Sequence, residues 1–524
     1  MTQSPFSGKP LKRVLIVGGG TAGWLSACHI ARKLATGADG VDVRLLESKD
    51  IPTIGVGEGT VPAIRQSLQR LGISETEFIR ECDATFKQSI KFVDWMKPAG
   101  DRDYYHHIFD YPGIDRVDLT PYWLMGEAEG CDYVDAVSVQ GRVCENGLGP
   151  KLMTHPEFIG ATNYAYHLDA AKFAALLTRH ATGKLGVRHV LGNMLEVRLA
   201  PDGSIRSVVT DEHGELEADL YVDCTGFSSR LLGEALDVGF ISKNDVLFVD
   251  NALAIQVPYG DERTPIPCHT IATAQDCGWV WDIGLHERRG TGYVYSEKYC
   301  SHDRAEAVFR DYLRGTVGDL ADELPARRIP MQVGYRETFW VRNCVAIGLA
   351  QGFVEPLEAT GLLVFDATAR MLAELFPPST GSMPAIAERF NERVRYAWDR
   401  VIDFIKLHYY LSDRDDSDFW TDNRNPLTAP DSLLKNLALW REQPPTEYDF
   451  FSRQEIFKLE NYLYVLYGMR FPTDVEPIRY RYRDREAARR EFERIGSKAE
   501  RTIRELLPHR ELIDRIKTYG LQKV

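Results

Sequence analysis

The chain has 524 residues, 44% of them hydrophobic and 27% charged, with a formal net charge of −13. This is the composition of an ordinary globular protein, long enough for two or three domains or for one large cofactor-bound body with an appendage. The acidic balance excludes a broad nucleic-acid or anionic-membrane surface, which needs excess Lys and Arg.

The start, "MTQSPFSGKPLKRVLIVGGG", has only a short apolar stretch before glycines take over, unlike a secretory signal. "RVLIV" (13–17) predicts a buried strand, "GGGTAGW" a glycine turn, "LSACHIARKLA" a helix and "VDVRLLE" (41–47) a second strand. Strand, glycine turn, helix and strand make the βαβ unit of a doubly wound sheet. Gly18, Gly20 and Gly23 fit GxGxxG: the first makes the turn, the second admits a pyrophosphate, the third lets helix and strand pack closely. Thr21 and Ala22 lie at the helix start, where phosphates bind. Glu47 ends the second strand, where a carboxylate accepts hydrogen bonds from ribose hydroxyls. A second glycine loop, "IPTIGVGEGTVP" (51–62), follows and contains Gly57. Two distant strands, "LEADLYVDCTG" (216–226) and "NCVAIGLAQG" (343–352, with Leu349), also run into glycine. Far-apart strands converging on one long ligand suit FAD better than NAD.

"DATFKQSIKFVDW" (83–95) reads as amphipathic, with Phe86, Ile90 and Val93 as its apolar stripe. Asp83, Lys87 and Lys91 then fall at i, i+4 and i+8. Either Asp83 and Lys87 form a surface pair, or Lys87 faces a cavity as a catalytic lysine. In "CGWVWDIGL" (277–285), Trp279, Trp281 and Ile283 share one face of a strand and form a wall. "IGLHERRGTGYVYS" (283–296) reads as a hairpin. "GFVEPLEATGLLVF" (352–365) sets Glu355, Glu358, Thr360 and Gly361 before a helix, whose first amides can hold a small anion. Helical patterns dominate afterwards, in "GLLVFDATARMLAELF" and "AERFNERVRYAWDRVIDFIKLHYYL". "TDNRNPLTAP" (421–430) reads as a linker or loop. The mixed-charge stretch "YRYRDREAARREFERIGSKAERTIRELL" reads as a solvated helix face. No apolar run is long enough to span a membrane. Nine scattered cysteines, with no CxxC and no HExxH, give neither a disulfide framework nor a metal site, and point to a reducing, cytoplasmic setting.

The fold expected is α/β. Residues 1–365 form an FAD-binding doubly wound (Rossmann-like) core with inserted substrate-side β-structure. Residues 366–524 form a mainly helical C-terminal module that completes the substrate site.

Taken in order, "GGGTAGW", "IGVGEGTVP", "TFKQSIKF", "GWVWDIG" and "GFVEPLEATG" resemble the flavin-dependent halogenases of the tryptophan halogenase family. The likeness runs from about residue 11 to about 410 and more weakly to near 470. The family's WxWxIP signature is met as Trp279-Val280-Trp281-Asp282-Ile283, with Gly284 in place of Pro. The resemblance implies FADH2 supplied by a separate flavin reductase, and a flavin hydroperoxide that oxidises bromide or chloride to hypohalous acid. It makes Gly18, Gly20, Thr21, Ala22, Gly23, Glu47, Gly57, Leu349 and Gly361 the FAD site, and Thr360 and Gly361 the halide site. Hypohalous acid would pass through a tunnel to Lys87, for electrophilic halogenation of an electron-rich aromatic, with Glu358 orienting the oxidant or taking the ring proton. Ala359 replaces a serine common in the family. The wall of Trp279, Trp281 and Ile283 would keep substrate from the flavin, and so prevent hydroxylation. His107 and Phe109, in "YYHHIF" (104–109), match positions that flank the substrate ring. The segment 447–469 is built differently from the family's tryptophan-gripping region, so the expected substrate is indole-type or phenolic rather than free tryptophan. The rival reading is a flavin-dependent aromatic monooxygenase; the expected assembly is a monomer or homodimer.

Overall fold

The computed structural model describes residues 8–35, 39–51, 57–97, 103–112, 117–128, 130–451 and 455–523. The apolar run Arg13–Val17 is the centre of a six-stranded sheet. Across that sheet the order is Trp340–Val341, Cys344–Ala346, Leu220–Asp223, Arg13–Val17, Asp42–Glu47 and Arg188–Leu191. The pairings are parallel except at Trp340–Val341. Val14 to Val17 are buried, as a strand covered on both faces requires. Helix Thr21–Leu34 follows the glycine turn as expected. The distant segments 216–226 and 343–352 deliver two neighbouring strands of this sheet, both ending beside that turn.

A second sheet has seven strands. Its order is Arg327–Pro330, Asn251–Pro258, Arg288–Tyr295, Gly278–Gly284, Thr270–Gln275, Ser89–Val93 and Tyr104–Ile108. Gly278–Gly284 and Arg288–Tyr295 are the hairpin expected over 283–296, beginning earlier than read. A small antiparallel sheet joins Gly57–Gly59, Ala165–Asp169 and Thr85–Lys87. Residues 52–56 of the second glycine loop lie outside the described residues.

The helical reading of 83–95 is corrected. Thr85–Lys87 and Ser89–Val93 are strands in two different sheets, meeting at Gln88. Thr, Phe, Ile and Val suit strands, and three partner strands supply ladders that override a chance helical spacing. The Asp83–Lys87 surface pair does not form: both residues are buried. Lys91 instead binds Glu145 at 2.9 Å.

Helix Thr360–Glu374 packs on Thr21–Leu34, so position 365 falls inside one continuous helix rather than at a boundary. Met383–Leu411 is a long helix, buried almost throughout its last turns. The segment read as a linker begins inside a short helix, Asp418–Asn423, because Phe419 and Trp420 are buried. Arg485–Glu505 exposes most of its length, as its charge predicted. The last helix, His509–Tyr519, returns to the strand that carries Lys87: His509 Nε2 accepts from the Phe86 N–H at 3.0 Å. Among the described residues no helix is long and apolar enough to cross a membrane.

Candidate active site

A single cavity of about 580 Å³ joins the glycine turn to Lys87. At the turn end, Gly18 has φ +116°, and a side chain there would meet the Cys224 carbonyl oxygen at 2.1 Å. A side chain on Gly23 would meet the Gly18 carbonyl at 1.9 Å, so this glycine permits the close helix–strand contact. Gly20 is different: nothing lies within 4 Å of its missing side chain. It starts helix Thr21–Leu34 without any side-chain cap, leaving first-turn amides and the positive helix end for a phosphate. Thr21, Ala22, Glu47, Gly57, Leu349 and Gly361 line the same cavity. This donor set, with open space over Gly20 and a carboxylate at Glu47, fits a dinucleotide such as FAD.

At the other end stands Lys87, 1% exposed. Burial pushes its amine down from the usual 10.5 to about 8, although the charge of Glu358 pulls the other way. The Phe109 ring centre lies 5.5 Å from Nζ. Glu358 is equally buried. Burial would raise its carboxyl, but His107 and His408 overcome this and bring it down to about 2. His107 Nδ1 lies 2.7 Å from Oε2, and His408 Nε2 lies 3.0 Å from Oε1. The other nitrogen of His408, Nδ1, faces the Phe404 carbonyl at 2.8 Å, and a carbonyl only accepts. Both nitrogens of His408 therefore face acceptors, so the His408–Glu358 pair holds one proton between them. Glu358 and Ala359 adopt left-handed φ values of 64° and 55°, a costly turn for residues with side chains. That turn presents Glu358 to the histidines and begins helix Thr360–Glu374 without a side-chain cap. The Thr360 hydroxyl turns back toward the Glu355 and Leu357 carbonyls at 3.4 Å each.

Trp279, Trp281 and Ile283 all line the cavity, as alternate positions of a fully buried strand. The indole centres are 6.5 Å apart. Gly292 on the neighbouring strand makes room for Trp281: a side chain there would come within 2.1 Å of the indole. Trp279 Nε1 donates to Glu355 Oε2 at 2.8 Å, and the Tyr409 hydroxyl donates to the same oxygen at 2.5 Å. Burial lifts the Glu355 carboxyl to about 7. His107 and Phe109 lie beyond this cavity rather than on its wall. His107 spends Nδ1 on Glu358 and sets Nε2 3.2 Å from Asn461 Oδ1.

Sequence reasoning missed His408, Asn461, His509, His167 and Thr270, because each reaches the site through long-range packing. The one local signal was polar: Lys406 and His408 interrupt the apolar run "FIKLHYYL" on the long helix.

The family model for tryptophan halogenase matches residues 13–483. The chain belongs to the tryptophan halogenase family. It is similar to the tryptophan 6-halogenase of Streptomyces toxytricini, 37% identical over 87% of this chain and 89% of the relative. A solved tryptophan halogenase from Shewanella frigidimarina superposes with a TM-score of 0.94 at 41% identity, covering 98% of this chain and 99% of that one. A flavin-dependent halogenase from Xanthomonas campestris follows at TM-score 0.86 and 32% identity, covering 98% and 99%. The chain is thus an FAD-dependent aromatic halogenase, an oxidoreductase that works with reduced FAD and a halide. The α/β fold and helical C-terminal region expected from sequence are those of the solved halogenases.

Proposed function

We propose that this halogenase delivers its electrophile from Lys87 to an electron-rich aromatic ring, with Glu358 as the proton acceptor. The observation that carries the reading is the desolvated Lys87 amine, opening into the same cavity as the nucleotide turn and acted on by the Glu358 charge. Bound reduced FAD supplies, with dioxygen, the two-electron oxidation of bromide or chloride to hypohalous acid. The free first-turn amides at Thr360 and Gly361 hold the halide. Trp279, Trp281 and Ile283 keep the aromatic substrate off the flavin and leave a tunnel for the small oxidant. As an ammonium, Lys87 donates to the oxygen of hypohalous acid. As a free amine, it exchanges one N–H for N–halogen and releases water. Halogen transfer to the ring then moves the ring's displaced proton by way of Glu358 to the lysine nitrogen, which returns as the amine. A depressed carboxylate suffices there, because a halogenated ring cation is a far stronger acid than any carboxyl group. His107 and His408 keep Glu358 ionised for that step.

The substrate class is an indole-type aromatic smaller than free tryptophan, flanked by His107 and Phe109. In the segment 447–469, two polar groups are already engaged within the protein: Asn461 lies against His107, and the Tyr464 hydroxyl donates to the Asp110 carbonyl at 2.9 Å. This supports a site without a built grip for an ammonium and a carboxylate; residues 452–454 lie outside the described residues. All nine cysteines are unpaired, which supports work in a reducing cytoplasm beside a separate flavin reductase, as a monomer or homodimer.

The test is a halogenation screen with FAD, a flavin reductase, NADH, oxygen and either halide, offered indole, tryptophan and simple phenols. Mass spectrometry reads the isotope doublet, with Lys87→Ala as control. A doublet on indole that vanishes in the variant supports the reading. Tryptophan turned over far faster than indole overturns the substrate class. A doublet surviving Lys87→Ala overturns the role of Lys87, and a +16 product without halide would mean a monooxygenase.

A further inference from the structure

Gly59 lies in the strand Gly57–Gly59, and its φ is not left-handed, so its backbone does not demand glycine. What demands it is space. A side-chain carbon placed at Gly59 would stand 3.1 Å from Lys87 Nζ, 3.5 Å from Thr270 Oγ1 and 3.7 Å from His167 Cδ2. The glycine brings an amine, a hydroxyl and an imidazole to the same side of a backbone that carries no side chain, so Lys87 Nζ and Thr270 Oγ1 flank one spot on the cavity wall. Lys87 and Thr270 both line the cavity that reaches the nucleotide turn. Ala359 lines it too and offers no hydroxyl.

We propose that Thr270 is a second oxidant-holding residue: its hydroxyl and Lys87 Nζ grip the oxygen of hypohalous acid in the cavity beside Gly59, and His167 turns that hydroxyl toward it. This rests on the reading of Lys87 given above. His167 is fully buried, with Nε2 2.8 Å from Thr270 Oγ1 and Nδ1 without a partner. Burial, and then the charge of Lys87, hold its imidazole neutral, so it carries one N–H. With that hydrogen on Nδ1, a buried donor would go unpaired. With it on Nε2, only a lone pair is orphaned, which costs less. In that second form the N–H is given to Thr270 Oγ1, and the threonine's own O–H is free to point at the space beside Lys87. Two donors then hold the oxygen end of the oxidant and leave its halogen end outward. When the halogen passes to the ring, the oxygen takes a proton from the Lys87 ammonium and leaves as water, while the ring's proton goes to Glu358.

The test compares wild type with Thr270→Val, Thr270→Ser, Gly59→Ala and Lys87→Ala. It measures halogenated product per FADH2 oxidised, and hypohalous acid escaping to a scavenger such as monochlorodimedone. Circular dichroism and FAD binding are read in parallel. Thr270→Val, isosteric but without the hydroxyl, is expected to lower product per FADH2 about tenfold, the effect of one lost hydrogen bond to a reacting group. Scavenged oxidant should rise to match. Thr270→Ser should restore coupling, and Gly59→Ala should fall like the valine variant while still binding FAD. Thr270→Val coupling like wild type, or Thr270→Ser doing no better than valine, overturns the proposal. If Lys87→Ala is inactive while Thr270→Val is normal, only the threonine's role fails. If Lys87→Ala still halogenates, the Lys87 reading fails, and this proposal with it.

Discussion

Replacing Lys87 by Met should make the protein more stable while abolishing halogenation. Lys87 is charged in the unfolded chain up to about its ordinary 10.5, but in the fold only up to about 8. At about 1.4 kcal/mol per pH unit, that difference means the folded state carries a penalty of about 3 kcal/mol at neutral pH. The sign follows from proton binding. Below pH 8 the lysine is protonated in both states and the whole penalty is present. Between 8 and 10.5 the unfolded chain binds more protons than the fold, so wild-type stability rises with pH. Above 10.5 the penalty is gone. Met fills nearly the same volume and carries no charge, so the variant should gain about 3 kcal/mol at pH 7 and only about 1 kcal/mol at pH 9.5. For a chain of this length, with an unfolding entropy of about 2 cal/mol/K per residue, the gain at pH 7 is a Tm rise of about 3 °C. Thermal unfolding of both proteins at the two pH values measures it, and the difference between them cancels every other titrating group. No gain at pH 7, or a gain that does not shrink at pH 9.5, would show that Lys87 is not a desolvated charge.

The remaining predictions concern the residues around it. His408→Phe removes one of the two imidazoles that hold buried Glu358 down, so its carboxyl should rise from about 2, and the acid limb of the pH–rate profile should move up by at least about one pH unit; an unmoved limb would mean Glu358 does not act as the base. Gly20→Ala should leave Tm unchanged and weaken FAD binding in a fluorescence titration. Gly18→Ala, with left-handed φ and a carbonyl at 2.1 Å, should cost several degrees of Tm. Gly292→Ala should push the Trp281 indole aside, cost about 1–3 kcal/mol by overpacking, and lower halogenated product relative to peroxide released. Ala359→Gly relieves a left-handed alanine and should raise stability by about 1 kcal/mol, read as denaturant midpoint.

The nucleotide half was the most legible, because its signals are local: Gly18 and Gly23 each have a steric duty within a few residues or one strand away, and Gly20 leaves the helix start open. The tryptophan wall was legible for the same reason, since the period of a strand fixes which side chains share a face. The segment 83–95 was misread because strands shorter than two helical turns leave the helical and extended periods hard to separate, and its partners lie near residues 165 and 270. The residues that tune the catalytic pair were not legible at all. His408 reaches Glu358 from 50 residues away in sequence, and His509 supports Phe86 from 423 away. No spacing rule connects such positions; only burial in one core does.

Several locally unfavourable features of this molecule gather around Lys87 and Glu358. A lysine is buried against its charge, two side-chain-bearing residues take left-handed turns, a carboxylate is buried behind the tryptophan wall, and Gly59 and Gly292 give up a side chain to make room for Lys87 and Trp281. Each would relax if its surroundings allowed. They persist because the centre is held from several directions: Ala165–Asp169 and Thr270–Gln275 from the strands flanking Lys87, His408 from the long helix, and His509 from the last one. The C-terminal helices therefore help to hold this centre. The backbone beside Lys87 is pinned by an imidazole from the last helix, itself kept neutral by burial and fixed through Nδ1 to the Ile266 carbonyl at 3.0 Å. Loosening that pin should admit water to Lys87 and return its amine toward the ordinary range, an effect carried from a residue more than four hundred positions away.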